Sequence, residues 1–193
     1  TFTPSSSGAT TIKVLADKFT SGDSKNEASD IFNWTYVPKF ISTWTTTGSD
    51  ESIVLPLISG GSYNFTVDWG DSSGIDTITA YDDSDVTHTY SSAGTHTVTI
   101  DGTIVKWRFN NGGSKAKIVG ISNWGNLTIS NGEAFYGCVN LEITANNAPN
   151  ISGTTLYSCF KSCAKTVNIG TGWNVSSVQN FGHMFHGAAL FNG

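Results

Sequence analysis

The sequence predicts an all-β protein, a small antiparallel sandwich followed by a short solenoid of stacked turns. Three observations predict it. Between residues 48 and 109, short runs rich in Val, Ile, Thr and aromatic residues alternate in character and are separated by Gly, Asp and Ser clusters, as half-buried strands joined by turns do. Beyond residue 118 the pattern changes, and similar cells recur on a fixed ruler marked by Phe135, Phe160 and Phe185. Charged residues make up only 13% of the chain, with 21 Gly and much Ser, Thr and Asn. Ordinary globular domains carry about 25% charge, so hydroxyls and amides must supply the polar surface.

The first segment, residues 1–47, holds two short apolar stretches, 11–16 and 31–44, joined by the polar run TSGDSKNEAS. Alone they cannot form a core. The segment reads either as a linker with edge strands or as an arm that docks on a neighbouring subunit or anchor.

The second segment, 48–109, carries six strand-like runs at 52–57, 63–69, 76–81, 86–90, 95–100 and 104–109. Their close spacing suggests a small antiparallel sandwich. Inside it, Trp69, Gly70 and Asp71 form a Trp-Gly-Asp turn, followed by His88, Tyr90, Gly94, His96 and Val98. Residue type assigns structural roles. Trp69 is a large core plug, Gly70 permits a positive φ in the turn, and Asp71 can accept backbone N–H bonds that tie the loop.

Together these residues resemble the signature of the PKD-type immunoglobulin-like domain. The resemblance implies an immunoglobulin-like sandwich in which the motif positions shape the fold and perform no chemistry. The block is shorter than the family usually is, so a strand is either missing or supplied by the N-terminal arm.

The third segment, 118–193, carries the ruler, whose period is about 25 residues, within the range of leucine-rich repeats. Phe135, Phe160 and Phe185 fall on it, as do Cys138, Cys163 and Ala188. An apolar anchor stands 11 or 12 residues ahead of each Phe, at Trp124, Ala148 and Trp173. A fixed period of this length marks a leucine-rich-type solenoid, whose turns expose an apolar edge unless a neighbour stacks on it. The Phe residues are therefore expected to form an internal column of about three repeats. A last coil at 173–193 is expected to lack a cap, which leaves a continuing chain or another subunit to cover it.

The last coil is very similar to the repeat of bacterial surface lipoproteins related to BspA-type leucine-rich repeats. The match runs through Trp173, Asn174, Val175, Ser176, Val178, Met184, Phe185, Gly187, Ala188, Phe191 and Asn192, with Phe181 where Met is usual. The two earlier copies are degenerate. The resemblance implies an extracellular, surface-displayed protein, often adhesive, without enzymatic activity of its own.

Charge and composition narrow the partners. The formal net charge is −5 and the basic residues are scattered, apart from Lys115 and Lys117, so no stripe exists to neutralise a phosphate backbone and no nucleic-acid partner is expected. No apolar run approaches the roughly 18 residues of a membrane-spanning helix. The first residues lack the charged start and apolar segment of a signal peptide, so export implies a removed signal or another route. Five sequons, at Asn33, Asn64, Asn126, Asn150 and Asn174, add little in a chain so rich in Ser and Thr.

Candidate chemistry is sparse. His183 and His186 are three apart but have no third ligand near them in sequence, and they read as surface histidines. His88 and His96 fall on strand positions with structural roles. Asp82, Asp83 and Asp85, with Asp76 nearby, lack a calcium-loop pattern and read as a solvated acidic hairpin loop. Cys138 and Cys163 sit on adjacent coils, where a disulfide or a column of buried thiols could form; Ala188 at the third position favours the thiols. No nucleophile elbow, zincin helix or phosphate loop is present. The expected catalytic, cofactor and metal sets are all none.

The expected function is that of a non-catalytic, extracellular structural or adhesion protein that self-assembles or decorates a larger object, a cell envelope, an extracellular filament or a phage virion, with a glycan or a host-surface ligand as a further partner. It would self-assemble as a homo-oligomer, or join other surface proteins, through the arm and the last coil. The alternative is a glycan-binding accessory module of a secreted hydrolase, with Trp34 and Trp44 as the tryptophans free to form a sugar platform.

Overall fold

The structure, a computed structural model, describes residues 8–12, 20–21, 24–25, 32–36, 38–168 and 172–191. The chain forms two compact units, Thr1–Pro38 and Lys39–Gly193. In the first, β1 (Gly8–Ile12) pairs antiparallel with β4 (Phe32–Tyr36), and β2 (Thr20–Ser21) with β3 (Ser24–Lys25). The side chain of Trp34 lies outside the described residues.

The second unit is mainly β, and no α-helix occurs among the described residues. Its strands are β5 (Phe40–Thr46), β6 (Glu51–Val54), β7 (Ser62–Asp68), β8 (Ile75–Ile78), β9 (Thr87–Tyr90), β10 (Gly94–Val105), β11 (Ile118–Asn123), β12 (Leu127–Ile129), β13 (Glu142–Ile143) and β14 (Asn150–Ile151). Eight of them form one mixed sheet, ordered β13-β11-β5-β10-β12-β14, with β7 on β10 and β8 on β7. β6 and β9 make a separate two-stranded sheet.

β7 shows why these runs become strands. Tyr63, Phe65 and Val67 are buried while Asn64, Thr66 and Asp68 face solvent, the period of two that a half-buried sheet requires. β5 alternates in the same way, burying Phe40, Ser42, Trp44 and Thr46. The buried hydroxyls are hydrogen-bonded: the Trp44 indole N–H donates to Ser42 Oγ at 2.9 Å, and Thr46 Oγ1 lies 2.9 Å from His96 Nε2.

Three expectations change here. Phe40–Thr46 falls in the stretch expected to be an arm, yet it pairs with β10 on one side and β11 on the other, inside the sheet. Trp44, expected to be free for exposure, is fully buried because the strand's alternation turns it inward beside Phe109. The runs 95–100 and 104–109 also join: β10 continues to Val105 through Gly102, whose φ of 130° lets its backbone approach Asn64 and Phe65 more closely than a side chain would allow.

β10 carries the sheet into the C-terminal region. Its first half pairs with β5, and its last two residues pair parallel with β12, to which β14 adds in parallel. On the other edge β13 lies parallel to β11, and Val167 bridges to Ile143. Between these ladders the backbone is bonded turn to turn. The N–H groups of Glu133, Phe135 and Gly137 donate to the carbonyls of Tyr157, Cys159 and Lys161 at 2.7, 2.8 and 2.9 Å. Those of Ser158, Phe160 and Ser162 donate to Gly182, Met184 and His186 at 2.9 Å each. Donors and acceptors both advance by one period of the ruler.

The turns share a backbone as well. Glu133, Ser158 and His183 have φ of 64°, 51° and 56°, and Gly137, Ser162 and Gly187 have 83°, 60° and 72°. A left-handed residue at each end folds the turn tightly enough for its Phe to point inward. Phe135, Phe160 and Phe185 then stack, with centroids 5.5 and 5.7 Å apart and rings within 5° of parallel. Phe191 stacks on Phe185 in turn, at 3.7 Å. The column joins the sheet core through Phe40, Trp107 and Phe109, at centroid distances of 5.3, 6.0 and 6.2 Å along the series to Phe135. One hydrophobic core therefore runs through the unit.

Candidate functional site

Two places concentrate candidate functional side chains. The first is the Trp69 turn. Trp69 is fully buried and its indole N–H donates to Asp76 Oδ2 at 2.7 Å. Gly70 has a φ of 79°, and a Cβ there would run into the backbone of Thr97. Asp71 accepts from the Ser73 N–H at 3.0 Å and lies 2.7 Å from His88 Nε2. Burial works to raise the Asp71 carboxyl, but the hydrogen bonds from Ser73 and His88 outweigh it and hold it at about 2.

His88 stacks on Trp69 at 4.8 Å and meets the edge of Tyr90, whose hydroxyl donates to the Trp69 carbonyl at 2.9 Å. Tyr90 stacks on His96, and burial pushes the His96 imidazole below its usual range. Gly94 donates to Thr46 Oγ1 at 3.2 Å, and Val98 is fully buried. The aromatic and acidic groups in this series bond to or stack on one another, and the Ser73 side chain also hydrogen-bonds Asp71. The geometry braces a turn.

The remaining candidates lie apart from it. Phe135 and Phe160 are fully buried, Phe185 is partly buried, and Trp173 meets Trp124 edge-on at 5.7 Å, reaching across the coil in which the small Ala148 stands. Cys138, Cys159 and Cys163 are buried free thiols, and Cys163 Sγ lies 3.2 Å from the Phe135 carbonyl. Burial raises all three, Cys163 to about 12. His183 and His186 are exposed, and among the described residues no group of three or more His, Cys, Asp or Glu is arranged to hold a metal ion.

The second place escapes motif analysis. A groove of about 350 Å³ is lined by Ile58, Lys106, Arg108, Asn131, Gly132, Glu133, Thr155 and Tyr157. Arg108 pairs with Glu133 through both Nε, at 3.0 Å, and the guanidinium terminus. The Tyr63 hydroxyl lies 2.9 Å from the carbonyls of both Ile58 and Lys106, so it ties the two walls together. Asn131 donates to the Gly132 carbonyl at 2.7 Å, while its own carbonyl oxygen is buried without a donor. Tyr157 is 39% exposed and rests edge-on against His183 at 5.6 Å.

The signal for this groove was the ruler extended upstream. Lys106 and Asn131, Arg108 and Glu133, and Gly132 and Tyr157 each stand one period apart. Comparison with protein-family models, curated proteins and solved structures finds no match to the chain.

Proposed function

We propose that this protein is a non-catalytic structural or adhesion module displayed on a cell or virion surface, in which an immunoglobulin-like sandwich of the PKD type carries a short leucine-rich-type solenoid. The observation that carries this reading is the regular advance of the backbone bonds from coil to coil together with the stacked Phe column. Such an array stacks each turn on its neighbour and offers an extended lateral surface, which is how repeat proteins hold ligands and partners. The polar clusters support the same reading, because the Asp71–His88 series and the Glu51–Lys117 pair, at 2.7 Å, brace turns and loops.

Association is the second part of the proposal. Val175, Phe181 and Leu190 are large apolar residues exposed by 38%, 46% and 56% on one coil. Large apolar side chains exposed together on one coil favour contact with a partner, and the partner proposed is a second copy or another surface protein. Light scattering of the purified chain across a dilution series tests it. An oligomer that Phe181→Asp with Leu190→Asp converts to monomer supports the proposal. A wild-type monomer at every concentration removes self-assembly, and turnover of any substrate removes the non-catalytic reading.

A further inference from the structure

We propose that the groove between the β6–β7 loop and the coils binds an acidic saccharide. The inference rests on the reading of the chain as a surface binding module and names its ligand class. Four features converge. Tyr157 presents an exposed ring held by His183 on one edge and packed against Gly182, so it is a fixed flat platform. Sugar rings, flat and partly apolar on one face, stack on such platforms, and a rigid aromatic gives contact area at low entropic cost.

Charge supplies the second feature. Arg108 is paired with Glu133, whereas Lys106 makes no ion pair with any described residue, so the groove carries a net positive charge in a chain of net charge −5. Lys106 is also held with a φ of 75°, a conformation unusual for Lys, and Tyr63 fixes its carbonyl. The ammonium lies beside Gly60 of the β6–β7 loop, where a ligand carboxylate can meet it.

The third feature is acceptor capacity. Asn131 has a carbonyl oxygen without a donor, and a small turn of its terminal torsion, which is soft, brings it to a ligand hydroxyl. Glu133 offers its carboxylate alongside. These acceptors suit a polyhydroxylated ligand and repel a run of acidic side chains. Fourth, the N–H groups of Arg108 and Glu133 in the lining already donate to the carbonyls of Pro56 and Tyr157, so these two cannot pair with an added peptide strand. The volume is near the lower end for ligand sites, the size of one or two sugar rings.

Calorimetry with the full chain tests this, using sialyllactose and a glucuronate-containing disaccharide against lactose. The acidic sugars should bind about tenfold or more tightly than lactose, the worth of one charge-assisted hydrogen bond. Tyr157→Ala should abolish binding, and Lys106→Gln should reduce the acidic sugars to the affinity of lactose, both with unchanged melting temperature. Absence of binding by the wild type, equal binding of lactose, or intact binding in both variants overturns the proposal, as does a glutamate-rich peptide that competes at the same residues. If the sugars fail while the protein still forms oligomers, the groove assignment falls and the display reading stands. If the sugars bind and are cleaved, the reverse holds.

Discussion

Phe160→Ala probes the column at its centre. Phe160 is fully buried, stacked between Phe135 at 5.5 Å and Phe185 at 5.7 Å, and touched edge-on by Trp173 at 6.0 Å. Removing a buried Phe side chain costs about 3–5 kcal/mol including the cavity left behind. Each lost aromatic pair adds about 0.5–1.5 kcal/mol where it is well formed, so the upper part of that range, about 4–5 kcal/mol, is expected. For a unit of this length that corresponds to a fall in melting temperature of about 10–15 °C.

Urea unfolding followed by tryptophan fluorescence is the assay, because Trp69 and Trp107 report from the sheet and Trp124 from the coils, all fully buried. One core runs through the unit, so the whole transition should shift as a single step. Phe181→Ala, at an exposed position, should change stability by no more than about 0.5 kcal/mol. A loss below about 1 kcal/mol at Phe160, or a two-step transition in which the sheet signal is unmoved, would refute the continuous column.

Three further outcomes follow from named contacts. Gly70→Ala should lose more than about 1 kcal/mol in urea unfolding, since its Cβ meets the Thr97 backbone at positive φ, whereas Gly48→Ala, with open space around it, should be neutral or slightly stabilising. Acid should act in two windows. Burial holds His96 below its usual 6.5, so the unfolded chain takes up the proton first and stability falls as pH drops below that value. Asp71, held at about 2 against a usual 3.8, contributes stability that is present above 3.8 and is lost as pH falls toward 2. Glu51, held at about 2 against a usual 4.5 chiefly by its hydrogen bond with Lys117, adds to the low-pH loss, so thermal melts should show both losses in the wild type and a smaller low-pH loss in Asp71→Asn; stability that rises on acidification contradicts the assignment. Finally, the three buried thiols should resist an aromatic disulfide reagent in the native state and react on unfolding, and rapid labelling of the folded protein would count against their burial.

Much of the β architecture was legible because burial imposes a period. β7 alternates along its whole length, and the even spacing of Phe135, Phe160 and Phe185 reflects one buried position per coil. The central place of β5 was not legible, because two of its inward positions are Ser42 and Thr46, polar residues that hydrogen bonds with Trp44 on the same strand and His96 on β10 make acceptable in a core. Gly102 reads as a strand breaker, yet its freedom at positive φ is what lets β10 continue against β7.

The groove was harder still. Its residues come from the β6–β7 loop, from just past β10 and from turns after β12 and β14, and most are polar side chains that no hydrophobic period marks. Only the repeat spacing links Lys106 to Asn131 and Arg108 to Glu133. The Trp platform expected of the glycan-binding alternative fails at Trp44 for the opposite reason: an aromatic side chain on an alternating strand is claimed by the core.

Amide hydrogen exchange, resolved along the chain, tests the central claim most directly. The turn-to-turn backbone bonds beside the mixed sheet predict protected amides at Glu133, Phe135 and Gly137 and again at Ser158, Phe160 and Ser162, the same pattern displaced by one period and lost together with protection in β7 and β10. Free exchange at those six amides while the β7 and β10 amides stay protected would contradict it.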